Sequence, residues 1–66
     1  MDFDAAEITA LISTATLCAD CLAQKIGVDV RRVREVLNQV AESVTITTRP
    51  GRCDSCLKQT VVHRLG

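Results

Sequence analysis

The sequence predicts one small α+β domain over residues 1–66, three helices followed by a β-hairpin. Three observations carry this. Apolar residues recur at spacings of three and four as far as Val40. From Val44 the pattern changes to an alternation of β-branched residues. Two Cys-x-x-C pairs, Cys18/Cys21 and Cys53/Cys56, fall one in the helical half and one beside the hairpin turn.

Each element has its own signature. The first helix is expected from Asp4. Asp4 with Glu7 three residues later has the form of a capping box, and Phe3 stands where a hydrophobic staple would. Ala5, Ile8, Leu11, Ile12 and Ala15 then share one stripe. Ser13-Thr14-Ala15-Thr16 is a weak helix former and ends it. A short second helix is expected from about Leu17 to Ile26, with Thr16 as N-cap and Gly27 just past its end. The third follows Asp29, a good N-cap. It puts Val30, Val33, Val36, Leu37 and Val40 on one face, with Arg31, Arg32, Arg34 and Glu35 elsewhere. Val44-Thr45-Ile46-Thr47-Thr48 reads as a strand. Arg49-Pro50-Gly51-Arg52 reads as a turn, and Thr60 to Leu65 as the returning strand.

Size makes a staple necessary. Hydrophobic residues are 47% of the chain and charged ones 24%, a globular balance. Yet ordering 66 residues costs on the order of 100 kcal/mol of conformational entropy, which a core this small barely offsets. Phe3 is the only aromatic residue, so the core is left to Val, Leu, Ile and Ala.

Charge and hydropathy exclude several classes. The longest uncharged run, Ile8 to Ala19, is 12 residues and contains four Ser or Thr, too short and too polar for a membrane span. The N-terminus is acidic where a secretory leader would be basic, so a cytoplasmic location is expected. Net charge is zero but unevenly placed. Residues 1–30 hold five acidic groups against Lys25, and residues 31–66 hold seven basic groups against three acidic ones. A basic face can result, although overall neutrality weakens any affinity for nucleic acid.

The cysteines carry the chemistry. In a reducing cytosol, paired Cys read better as metal ligands than as disulfides. Thirty-one residues separate the pairs, longer than the usual zinc-ribbon spacer, but folding can close that gap. Cys18 and Cys21 are three apart in the first turn of the expected second helix, where the positive end of the helix dipole favours thiolate. Cys53 and Cys56 follow a tight turn whose backbone N–H groups can aim at sulfur. Four thiolates suit one structural, tetrahedral Zn²⁺ with no open position. An iron–sulfur cluster also takes four Cys and stays open. Disulfides and a redox pair are the remaining alternatives, although no βαβ unit accompanies the motif as a thioredoxin-like role would want. Many zinc knuckles carry Gly just after the second Cys, where this chain has Leu57 and Lys58.

Nothing points to catalysis. His63, the single histidine, reads as a partly exposed strand residue, and Ser13, Ser43 and Ser55 have no base nearby in sequence. No enzyme activity and no small-molecule substrate are expected.

The segment Leu22 to Leu37 resembles the helix-turn-helix of bacterial transcription regulators. Ala23 is small where two helices would cross, and Gly27 supplies the turn. Leu22, Ile26, Val28, Val33 and Val36 hold the core-facing spacings. The likeness is specific from Ala19 to Asn38, and the hairpin extends it to the winged-helix family. That family places the helix after the turn in the DNA major groove and the wing on phosphate or the minor groove. The resemblance implies a duplex-DNA-binding transcriptional regulator, acting as a dimer. Arg31, Arg32 and Arg34 would make base or phosphate contacts, with Arg49, Arg52 and Lys58 along the wing. The four cysteines depart from the family, since most winged helices hold no metal. The alternative is a metal-stabilised protein-docking module.

Overall fold

In the computed structural model, which describes residues 3–66, the chain runs α1 (Phe3–Thr14), β1 (Leu17–Cys18), α2 (Ala19–Ile26), α3 (Val30–Ala41), β2 (Ile46–Arg52) and β3 (Gln59–Leu65). The α+β class is as expected. The sheet is antiparallel and has three strands rather than two, in the order β1-β3-β2.

Helix α1 is already helical at Phe3, so Asp4 lies in its first turn rather than capping it. The staple expected of Phe3 lies outside the described side chains. The end falls as expected. The hydroxyls of Ser13 and Thr14 donate to the carbonyls of Ala10 and Leu11, offering the backbone a partner other than the next helical turn. Ile8 and Ile12 are fully buried, with Ala5, Leu11 and Ala15 packed beside them.

The largest departure near the N-terminus is β1. Leu17 and Cys18 do not open a helix. They pair with His63 and Val62 of β3, and the N-cap of α2 is Cys18, not Thr16. A two-residue strand is too short to leave any period in the sequence. The other end of α2 is as expected. Gly27 takes φ 76°, a left-handed cap, and its N–H and that of Val28 both donate to the carbonyl of Ala23. Asp29 then caps α3, its side chain accepting from the N–H of Arg31 at 3.3 Å. Leu22, Val33 and Val36 close the core between α2 and α3, and among the described residues no polar side chain is buried with them.

The hairpin reverses later than expected. Arg49-Pro50-Gly51-Arg52 is not a turn but the second half of β2, paired with Val62, Val61, Thr60 and Gln59. Strand β2 is an edge strand, where proline is tolerated because one side of the backbone needs no partner. Gly51 reflects close packing: a Cβ there would lie 3.2 Å from Cγ2 of Val62. The true reversal is Cys53 to Lys58. Within it the N–H of Leu57 donates to the carbonyl of Cys53, and the N–H of Cys53 to the carbonyl of Lys58.

Leu57 has φ 64°, the only non-glycine residue with positive φ among those described. The position following Cys56 therefore has the backbone that glycine favours, although leucine occupies it. The Leu57 side chain is 59% exposed and recovers little by packing. Replacing Leu57 with Gly relieves a left-handed strain of about 1–2 kcal/mol, less about 0.5 kcal/mol for the freer unfolded chain. L57G is expected to raise the Tm of the metal-loaded protein by roughly 5 °C, read by circular dichroism. An unchanged or lower Tm would show that the strain is absent.

Candidate metal centre

The fold brings the two Cys-x-x-C pairs together. The four Sγ atoms of Cys18, Cys21, Cys53 and Cys56 all lie within 4.8 Å of one another. Cys18 stands at the end of β1 and Cys21 in the first turn of α2. Cys53 and Cys56 lie in the reversal between β2 and β3. Cys18 to Cys56 is 3.9 Å and Cys53 to Cys21 is 3.6 Å, sulfur to sulfur. A disulfide bond is about 2.05 Å, and all four thiols are free. Thiolates about 2.3 Å from one tetrahedral ion are about 3.8 Å apart, so the observed spacing fits four ligands around one cation. The four cysteines could hold a metal ion.

Backbone donors support the sulfurs. The N–H of Cys18 and the N–H of Ser55 each reach Cys53 Sγ at 3.4 Å, and the N–H of Cys21 reaches Cys18 Sγ at 3.4 Å. Such donors orient ligands and stabilise their charge. Their effect divides the thiols. Burial raises Cys53, but hydrogen bonds from the backbone of Cys56, Cys18 and Ser55 outweigh it and bring the pKa down to about 6. Burial and the neighbouring thiols push Cys21 up to about 12, and burial also raises Cys18. Backbone donors thus favour the thiolate at Cys53, while burial opposes it at Cys21 and Cys18.

Asp54 has a structural role that no sequence pattern announces. It joins the reversal to the α1–β1 link by a reciprocal pair: the N–H of Thr16 donates to Asp54 Oδ2 at 2.8 Å, and the N–H of Asp54 to the carbonyl of Thr16 at 2.8 Å. Its partner thirty-eight positions away left no local trace.

The predicted cations are placed unequally. Arg32 lies against α1, with Nε 3.3 Å from Asp4 and NH1 3.8 Å from Glu35. Arg31 and Arg34 are exposed on α3, and Arg49 and Arg52 are exposed on β2. Lys58 lines a cleft with Cys18, Cys21 and Cys56, beside the thiols rather than along a free wing tip. Arg34 also lines a groove between α3 and the β2–β3 ribbon, opposite Thr48 and His63. His63 is half-buried, and its Nδ1 is 3.0 Å from Thr48 Oγ1. No helix is long and apolar enough to cross a membrane among the described residues.

No family model, no curated protein and no solved structure matches the chain.

Two measurements test the centre. Cation binding must displace the protons of Cys18 and Cys21, so metal affinity is expected to rise with pH and fall on acidification. A competition titration with a chromophoric chelator at several pH values reads this directly, and pH-independent affinity would reject thiolate ligation. Removing the Asp54 carboxylate as D54A leaves the Thr16 N–H to water. It is expected to cost about 1 kcal/mol of stability and to weaken metal retention with it.

Proposed function

We propose that the chain is a zinc-stapled winged-helix module that binds duplex DNA through α3 and the β2–β3 ribbon. The observation that carries the reading is the convergence of the four sulfurs. It fastens the start of α2 to the reversal of the ribbon and so fixes the ribbon against the helical pair. The order helix, short strand, helix, tight turn, helix, ribbon supports it, with Gly27 in the turn and α3 presenting Arg31 and Arg34.

Zinc is the proposed ion because a closed set of four thiolates with sulfur spacing near 3.8 Å is the tetrahedral preference of Zn²⁺, which needs no open position and no redox change. Structural zinc supplies roughly 10–16 kcal/mol in small peptides, comparable to the whole net stability of a domain. A tetrathiolate centre leaves no coordination site for substrate, so no enzymatic role is assigned.

In this reading Arg31 and Arg34 are the main DNA contacts on α3, and Arg49 and Arg52 are the ribbon contacts. Arg32 serves mainly to hold α1 to α3, since Asp4 and Glu35 already share it. A second reading has support of its own. Leu57 and Val61 are exposed apolar residues, 59% and 50%, which suits a protein-docking surface.

Metal analysis of the purified chain is expected to find one zinc, and complete chelation to abolish its helical circular dichroism. Retained helicity after metal removal would reject the staple. Selection against random duplexes is expected to yield a salt-dependent site. Arg31→Ala with Arg34→Ala should weaken binding by at least about tenfold. Equal binding by the double variant would reject the α3 assignment. Failure to select any duplex, with Leu57→Ser abolishing capture of a protein partner, would favour docking.

A further inference from the structure

We propose that the groove between α3 and the β2–β3 ribbon binds a small organic carboxylate, its head held by Arg34 and His63 and its apolar body laid against Leu37 and Val61. This goes beyond the DNA reading and stands without it, although both use Arg34, so a bound carboxylate would compete with a DNA phosphate for that side chain. The groove has a volume of about 490 Å³, within the range of small-ligand sites. Its walls are mixed in the way such sites are. Leu37, Ile46 and Val61 supply apolar surface, while Arg34, Asn38 and His63 supply polar groups from two different elements.

The polar groups have capacity to spare. Arg34 makes no ion pair among the described residues, unlike Arg32 two positions earlier. His63 uses Nδ1 on Thr48, which leaves Nε2 without a hydrogen-bond partner among the described residues. Burial first, and then the positive charge of Arg34, hold His63 below its ordinary pKa. A carboxylate between them would relieve that repulsion and accept charge-assisted hydrogen bonds from both. The charged and titratable groups around the groove are Arg34 on α3, Asp20 on α2, the Cys18 thiol and His63 itself. Asp20 is the single carboxylate there and is exposed, so water screens its opposition.

The apolar walls decide the class of ligand. A bare inorganic anion would use the cation and leave the exposed Val61 wet. An exposed valine on a strand is ordinary, but a ligand chain covering it gains from the apolar surface both remove from water. An acid with a short aliphatic body uses both features.

The test is an NMR titration of the metal-loaded chain at neutral pH and constant ionic strength, with hexanoate, acetate and hexan-1-ol as probes. Hexanoate is expected to give saturable shifts at His63 and Val61, and to bind about tenfold more tightly than either acetate or the alcohol. In Arg34→Gln, hexanoate should fall to the affinity of hexan-1-ol while the circular dichroism stays unchanged. Equal binding of hexan-1-ol by the unmodified chain would overturn the anion assignment. Equal binding of acetate would overturn the apolar one. Shifts that do not saturate, or full affinity in Arg34→Gln, would overturn the site.

Discussion

Four sulfur atoms within 4.8 Å of one another are the constraint on which the rest of this structure depends. Thiolates at that distance repel strongly, and a cation or retained protons must offset the repulsion. The chain has no aromatic side chain beyond Phe3 with which to enlarge its core, and the core is built of small and branched aliphatics and three of the cysteines themselves. Cys53 is 0% exposed and lies as deep as Leu22 or Val36. The centre is therefore part of the core and not an attachment to its surface. A change in the ligation of these sulfurs would thus change the packing of the core.

The same few atoms serve several elements. Cys18 pairs with Val62 in the sheet, donates its N–H to Cys53 Sγ, and accepts the N–H of Cys21 on its own sulfur as the cap of α2. Strand β1 exists because of this overlap. Two residues could not hold a strand by propensity alone, but Cys18 is fixed at one end by the sulfur cluster and by β3 alongside. Asp54 adds a second fastening between the reversal and Thr16, immediately before β1. Leu57 at φ 64° shows what the cluster demands of the chain: the loop bends where the sulfurs require, even through a residue unsuited to that conformation.

Local signals were legible in the sequence where the physics is local. The stripe of Ile8 and Ile12, the Asp29 cap, the Gly27 turn and the apolar face of α3 all follow from spacing and capping within a few residues. Both cysteine pairs were legible as a common site because every Cys in the chain belongs to one. What sequence misplaced was set by distant partners. Thr16 looked like a helix cap, but the pairing of Leu17 and Cys18 with β3 moved the cap onward. Pro50 and Gly51 looked like a turn because their usual meaning is punctuation, yet an edge strand admits the proline and a close contact with Val62 accounts for the glycine. Arg32 looked equivalent to Arg31 and Arg34 on a helix projection. Only the position of Asp4 on α1 distinguishes it.

The staple also shapes how such a module can meet a partner. In a hairpin wing the reversal is ordinarily the free tip. Here the reversal carries Cys53 and Cys56 and is tied back to the start of α2, with Lys58 beside the thiols. Lys58 shares a cleft with Cys18, Cys21 and Cys56. Outside the reversal, the exposed cations of α3 and the ribbon are Arg31 and Arg34 on α3 and Arg49, Arg52 and Arg64 on the ribbon. A ribbon held at its reversal loses little freedom on binding, which favours affinity per contact. It also cannot reach far to adapt. A cation held by the four sulfurs would therefore fix the spacing between the ribbon and the start of α2 at the cost of reach.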